Sequence, residues 1–130
     1  MRRVVVTGLG MVSPLGVGAD FVWNRLLSGE NGFTKVEDFD VSDIACRIAA
    51  RIPRGNDEGQ YNPDNWLAPK EQRKVDEFIT FSMAAADLAL KDAGWHPKTA
   101  DEQNTTGVLI GSGIGAVSYT HLTLPTTSRV

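Results

Sequence analysis

The apolar residues of this chain fall into short continuous runs and longer periodic ones, which predict strands and helices in turn. The continuous runs Val4–Val6 and Val108–Ile110 lack polar alternation, so each predicts a strand buried on both faces. A weaker strand is predicted over Cys46–Ile52, where Pro53 stops it.

Two stretches carry the 3.6-residue spacing of an amphipathic helix. The first is predicted over Ala19–Ser28, with Gly29 just beyond its end. Its predicted inward face consists of three large side chains: Trp23, Leu26 and Leu27. The second and stronger helix is predicted over Lys74–Ala93, with Gly94 at the position that ends it. Its many alanines make it thin, so we expect other elements to approach it closely.

The remaining segments are polar or rich in turn residues. Residues 30–45 support at most a short edge strand, and residues 54–69 are expected to form a surface excursion. The order is therefore strand, helix, irregular region with a strand, long helix, strand. This alternation predicts an α/β chain in which helices pack on a central mixed sheet.

Composition narrows the possible functions without choosing one. The 130 residues make one domain at most, and the net charge of −3 argues against a nucleic-acid partner. A single cysteine cannot form an internal disulfide, so a reducing, cytosolic compartment is expected. No stretch approaches the roughly 18 apolar residues of a membrane span.

Glycines follow both continuous apolar runs. In the stretch Gly107–Gly115, every second residue from Gly111 onward is glycine. This pattern predicts a tight turn whose backbone another part of the chain or a ligand can approach closely. Gly8 and Gly10 resemble the start of a dinucleotide-binding fingerprint, but Ser13 stands where that motif needs its third glycine. A small nucleotide-binding α/β domain is therefore only an alternative, and a helix-entering turn without a ligand is the preferred interpretation.

The chain changes character after Ala116. Residues 117–130 are rich in threonine, contain no acidic residue and show no helical or strand period. A crossover helix is expected at this point of an α/β chain, and this segment does not supply one. We therefore predict a native part over residues 1–116 and a non-native tail over residues 117–130, with a genuine short tail as the alternative.

Four stretches in this order resemble the β-ketoacyl-acyl-carrier-protein synthases. They are Val4–Gly16, Trp23–Gly29, Lys70–Ile79 and Gly107–Gly115. The resemblance implies a thiolase-like fold built from two related α/β halves, of which this chain would hold part of the first. It also implies a homodimer that condenses malonyl and acyl groups carried by acyl carrier protein, with loss of carbon dioxide and with no metal or organic cofactor.

The family's reaction uses a cysteine nucleophile and two histidines, and the resemblance places none of them in this chain. Cys46 lies before the long helix rather than in the nucleophile's Thr-Ala-Cys context, His96 precedes a proline in a turn, and His121 belongs to the suspect tail. The sequence therefore predicts no catalytic residue and an inactive fragment.

One substrate-binding position is carried over from the family. Ile114 matches the isoleucine that gates the acyl-chain pocket, although a plain packing role for it remains open. Two further possibilities stay open for the whole chain: a non-catalytic stub that pairs with an intact subunit, and, within the family, a polyketide ketosynthase. The expected location is cytoplasmic, without nucleic acid or membrane as partner.

Overall fold

The computed structural model describes residues 3–112 of the chain. Within them the elements are β1 (Val12–Ser13), β2 (Gly16–Val17), α1 (Ala19–Leu27), β3 (Phe33–Lys35), β4 (Ile48–Ala50), a short 3-10 helix (Pro63–Asn65), α2 (Pro69–Gln72), α3 (Glu77–Ala93) and α4 (Ala100–Thr105). β1 pairs with β2 and β3 pairs with β4, both antiparallel. The described residues divide into two compact units: 3–62 with 84–95, and 63–83 with 96–112.

Both long helices end as the sequence predicts. Gly29 and Gly94 adopt positive φ angles of 73° and 62°, which glycine tolerates without strain. In each helix the glycine N–H donates a hydrogen bond to the carbonyl of the residue three positions earlier. The N–H of the next residue donates to the carbonyl five positions earlier, from Glu30 to Arg25 in one helix and from Trp95 to Leu90 in the other. These bonds satisfy carbonyls that the helix end would otherwise leave open.

The predicted inward face of α1 is wrong. Val22 is the buried residue, at 2% exposure, whereas Trp23 and Leu27 are 59% and 69% exposed. The helix carries large apolar side chains on more than one side, including Phe21. Spacing alone therefore could not decide which side meets the neighbouring turn.

The two strands predicted from continuous apolar runs do not form among the described residues. Val4–Val6 and Val108–Ile110 are exposed, Leu109 almost completely at 99%. A strand needs a neighbouring strand to accept and donate its backbone hydrogen bonds. Within residues 3–112 no backbone hydrogen bond reaches either run, and the paired strands are instead the short hairpin elements β1–β4.

The predicted helix over Lys74–Ala93 is shorter at its start and begins at Glu77. The chain before it first forms α2, with Pro69 in its first turn, and then a tight turn in which the Lys74 N–H donates to the Glu71 carbonyl. Residues 74–76 belong to this tight turn and the bend after it, so α3 begins at Glu77 rather than at Lys74.

Two features of the connecting segments were not predicted. The polar stretch before Gly107 contains α4, whose start is a complete capping box between Thr99 and Glu102. The turn-rich excursion at residues 54–69 carries Tyr61, which is the largest fully buried side chain among the described residues and only 1% exposed. The Tyr61 N–H donates to the Pro53 carbonyl at 2.7 Å, so the excursion is attached at this residue to the chain that precedes it.

Candidate functional site

The glycine segment at residues 8–10 lies directly on the surface of α3. A Cβ atom added to Gly8 would stand 2.3 Å from the Ala89 carbonyl oxygen and 2.6 Å from the Ala93 nitrogen. A Cβ atom on Gly10 would stand 1.8 Å from the carbonyl oxygen of Ala85. None of these distances leaves space for a side chain, so the close contact with α3 requires glycine at both positions.

The spacing of the two elements explains how this contact repeats. Two residues of extended chain advance about 6.6 Å, and four residues of helix rise about 6 Å. Gly8 meets Ala89 and Ala93, and Gly10 meets Ala85 and Ala89, so the segment runs antiparallel to α3. The alanines that make α3 thin therefore receive the N-terminal glycines, which confirms the expected close approach but places an extended segment there rather than a sheet.

A polar contact fixes the segment between its two glycines. The Leu9 N–H donates to the Asp92 carboxylate at 2.8 Å. An open pocket of about 210 Å³ lies beside this bond and is lined by Leu9, Gly18, Ala19, Asp20, Leu88 and Asp92. Asp92 was not singled out in the sequence, although a carboxylate in the last turn of a helix is unfavourable beside the open carbonyls there and was therefore a usable signal.

The turn that enters α1 is held by one arginine. The Arg25 Nη1 donates to the Leu15 carbonyl at 2.7 Å, and its Nε donates to the Glu30 carboxylate at 2.6 Å. The guanidinium also lies 5.8 Å from the centre of the Phe21 ring. These contacts join the turn before α1 to the residues that follow it.

The Phe21 ring fills the space that two glycines leave. Added Cβ atoms at Gly16 and Gly59 would come within 2.6 Å and 2.1 Å of that ring. The Val17 N–H donates to the Gly59 carbonyl at 2.9 Å, so the loop around residue 59 is attached to β2. Gly16 and Gly59 therefore both have a role in internal packing.

The sequence-predicted site residue Ile114 lies outside the described residues, as do Gly113, Gly115 and His121. Of the same glycine-rich stretch, Gly107 and Gly111 are described, and nothing lies within 4 Å of a Cβ added to either. In the described part of the chain, no other residue approaches these two glycines closely, so the close neighbour expected at this stretch stays a prediction.

The remaining candidates for chemistry lie on the surface. Cys46 is exposed, and its thiol donates to the Ile48 carbonyl at 3.5 Å. His96 is exposed as well. Within residues 3–112 no group of three or more His, Cys, Asp or Glu side chains could hold a metal ion. No helix in that same range has the length and apolar character to cross a membrane.

Three exposed carboxylates are stabilised in their charged form. The hydrogen bond from the Arg51 guanidinium lowers the pKa of Asp38, and its positive charge acts in the same direction. The Ser42 N–H, at 3.0 Å, lowers the pKa of Asp40. Backbone N–H groups of Thr99 and Lys98 lower the pKa of Glu102. Each shift has a local structural cause: an ion pair, a turn hydrogen bond or a helix cap.

The fold is that of a thiolase-like condensing enzyme. A solved structure titled "The ishigamide ketosynthase/chain length factor" aligns with a TM-score of 0.61 and 28% sequence identity, covering 78% of this chain and 23% of that one. The α/β class expected from the alternation of elements is thereby confirmed, although the central sheet is not among the described elements.

The chain belongs to the family described as "Beta-ketoacyl synthase, N-terminal domain", which matches residues 1–129. It is 58% identical over 118 residues to "3-oxoacyl-[acyl-carrier-protein] synthase 2" of Rhizobium meliloti, covering 90% of this chain and 28% of that protein. It is 41% identical over 130 residues to "3-oxoacyl-[acyl-carrier-protein] synthase, mitochondrial" of Arabidopsis thaliana, covering 89% of this chain and 28% of that protein. The chain thus spans little more than a quarter of these relatives' length.

Proposed function

We propose that this chain is the N-terminal part of a 3-oxoacyl-[acyl-carrier-protein] synthase that acts in fatty acid elongation. The observation that carries the proposal is the 58% identity to the Rhizobium meliloti synthase 2 over 118 residues. The identity to the ketosynthase/chain length factor structure is lower, at 28%, which favours the synthase over that class of protein. The segment around Gly8 and Gly10, which resembles a nucleotide-binding fingerprint, lies against α3. This contact supports a structural role for the segment.

The proposed reaction of the whole enzyme is a decarboxylating Claisen condensation. A cysteine thiolate takes the acyl group from acyl carrier protein as a thioester. Loss of carbon dioxide from malonyl-acyl carrier protein gives an enolate, which attacks that thioester, and two histidines stabilise the charge that develops on oxygen. The products are a 3-oxoacyl thioester, carbon dioxide and the freed thiolate.

We assign none of those catalytic roles to this chain. The Cys46 thiol is exposed on a hairpin-flanking segment and donates to a backbone carbonyl, an arrangement that does not activate a thiolate. His96 follows the glycine that ends α3 and precedes a proline. The 130-residue chain by itself is therefore expected to be inactive, and its contribution to the whole enzyme is scaffold.

The one substrate contact that we assign to the chain is Ile114, as a gate of the acyl-chain pocket. The flanking glycines would let its side chain move aside for an acyl chain. In an intact enzyme, Ile114→Phe should shorten the longest acyl primer that is accepted, whereas Lys98→Phe, which adds the same ring at an exposed polar position, should not. Unchanged primer preference in the Ile114 variant would leave this residue as a packing residue only.

The partners and the location follow from the same proposal. Acyl carrier protein delivers both substrates as phosphopantetheine thioesters, so no metal or organic cofactor is needed. A homodimer in the cytoplasm is the proposed form of the whole enzyme. The native boundary at residue 116 stays a prediction, because residues 113–130 lie outside the described part. The genomic sequence downstream of codon 116 tests it.

A chimera tests the proposed function directly. Residues 3–112 of this chain replace the matching segment of the Rhizobium meliloti synthase 2, and condensation of malonyl- and acyl-acyl carrier protein is measured. We expect activity within about tenfold of the parent enzyme, the equivalent of about 1.4 kcal/mol. A matched chimera carrying Gly10→Ala should express poorly or lose activity. A soluble chimera without condensing activity would contradict the proposal.

A further inference from the structure

Asn31 stands out among the six asparagines of the chain, because it is the one followed by glycine. It lies in the exposed turn between α1 and β3. Glycine lacks the side chain that would hinder attack by its own backbone nitrogen on the preceding side chain. The other asparagines precede larger residues: Asn24, Asn56, Asn62, Asn65 and Asn104.

The structure places a hydrogen-bond donor on the side-chain carbonyl of Asn31. The Phe33 N–H donates to Asn31 Oδ1 at 3.1 Å. A donor on this oxygen polarises the carbonyl and stabilises the negative charge that develops when a nucleophile adds to its carbon. Within the described residues the Gly32 N–H has no hydrogen-bond acceptor, so no hydrogen bond holds the attacking nitrogen.

We propose that Asn31 is a site of spontaneous deamidation, activated by the Phe33 N–H. The Gly32 nitrogen loses its proton to solvent base and attacks Cγ of Asn31, forming a carbon–nitrogen bond. The carbon–nitrogen bond to the side-chain amide then breaks and ammonia leaves, which gives a five-membered succinimide. Water opens that ring at either carbonyl, so the products are aspartate and isoaspartate, and the net change is water consumed and ammonia released.

The products would alter the turn in two ways. Either product adds a negative charge next to Glu30, whose carboxylate already pairs with Arg25. Isoaspartate also adds a methylene to the backbone directly before β3. Gly32 has little freedom to absorb that change, since its position leaves 2.6 Å between an added Cβ and the Pro14 side chain. Deamidation therefore changes the entry to the β3–β4 hairpin.

The test is peptide mapping of the whole 130-residue chain after incubation at mildly alkaline pH, with mass spectrometry and an isoaspartate-specific methyltransferase label. We expect the peptide containing Asn31 to convert first and to yield both products. Asn31→Gln should abolish the signal, because the longer side chain forms the corresponding ring far more slowly. If Asn31 keeps its amide while another asparagine converts, the proposal is wrong.

A pair of proline variants isolates the role of the Phe33 N–H. Phe33→Pro removes the donor on Oδ1, while Thr34→Pro disturbs the same strand and keeps that donor. We expect Phe33→Pro to slow conversion about fivefold, the rate equivalent of one net hydrogen bond. Thr34→Pro should convert at close to the parent rate. Equal rates in the two variants would overturn the activation that we propose.

Discussion

Replacing Gly10 by alanine tests the contact between the N-terminal segment and α3. The new Cβ would stand 1.8 Å from the Ala85 carbonyl oxygen and 2.6 Å from the Ala89 nitrogen. Both are backbone atoms of a helix and cannot rotate away, so either the segment or α3 must shift. Overpacking of this kind costs about 1–3 kcal/mol, and we expect the upper part of that range. Urea unfolding followed by circular dichroism measures the loss.

Two control variants make the Gly10 result specific. Gly107→Ala meets no atom within 4 Å, so it should leave stability unchanged or raise it by about 0.4–1 kcal/mol. Adding Ala85→Gly to Gly10→Ala should give no recovery, because the clash is with the carbonyl oxygen and not with the Ala85 methyl group. A Gly10→Ala chain as stable as the Gly107→Ala chain would refute the reasoning, and recovery in the double variant would do the same.

Three further variants test local interactions in the described part of the chain. Thr99→Ala should lower the free energy of unfolding by about 1 kcal/mol, because it removes the side chain that caps α4. Urea unfolding measures this loss. Glu102→Gln should remove part of the acid sensitivity of the parent. The lowered pKa of Glu102 means that its stabilisation is complete above the usual value of 4.5 and is lost as pH falls through the lowered value, which a pH series of thermal unfolding detects. Phe21→Ala should lower the free energy of unfolding by about 2 kcal/mol, because the Phe21 ring packs on Gly16 and Gly59. The control Phe39→Ala, at an exposed position, should change it by no more than about 0.5 kcal/mol. Equal losses in the two variants would argue against the packing of Phe21.

The helix ends could be predicted because their causes are local. Gly29 and Gly94 follow the last periodic residue of their helices, and a left-handed glycine at that place satisfies the last carbonyls whatever packs nearby. The start of α4 was equally local. Thr99 and Glu102 have the spacing of a capping box, which is a local signal for the start of a helix.

Features that depend on a distant neighbour could not be predicted in the same way. The runs at Val4–Val6 and Val108–Ile110 have the composition of buried strands, but burial needs partner strands that the described residues do not provide. The wrong face of α1 has a similar origin, because the burial of Val22 depends on residues outside the helix, whose entering turn Arg25 holds. That turn is stabilised by contacts ten residues apart, beyond the reach of a periodicity argument.

The candidate site also combines features that follow from single residues with features that depend on residues far away in the sequence. The close approach to α3 was correctly expected, because the small side chains of its alanines are a property of the residues themselves. Which element would approach them was not predictable, and neither was Asp92 as the acceptor of the Leu9 N–H, 83 residues away in the chain. The acyl-pocket role of Ile114 stays a prediction, since it lies outside the described residues.

The most direct test of the scaffold account is a condensation assay on the purified 130-residue chain. Malonyl- and acyl-acyl carrier protein are supplied together, a full-length synthase 2 is assayed in parallel, and the 3-oxoacyl product is measured. The account predicts product from the full-length enzyme and none from this chain, which contributes framework but no reacting group. Product that increases in proportion to the amount of this chain would contradict it.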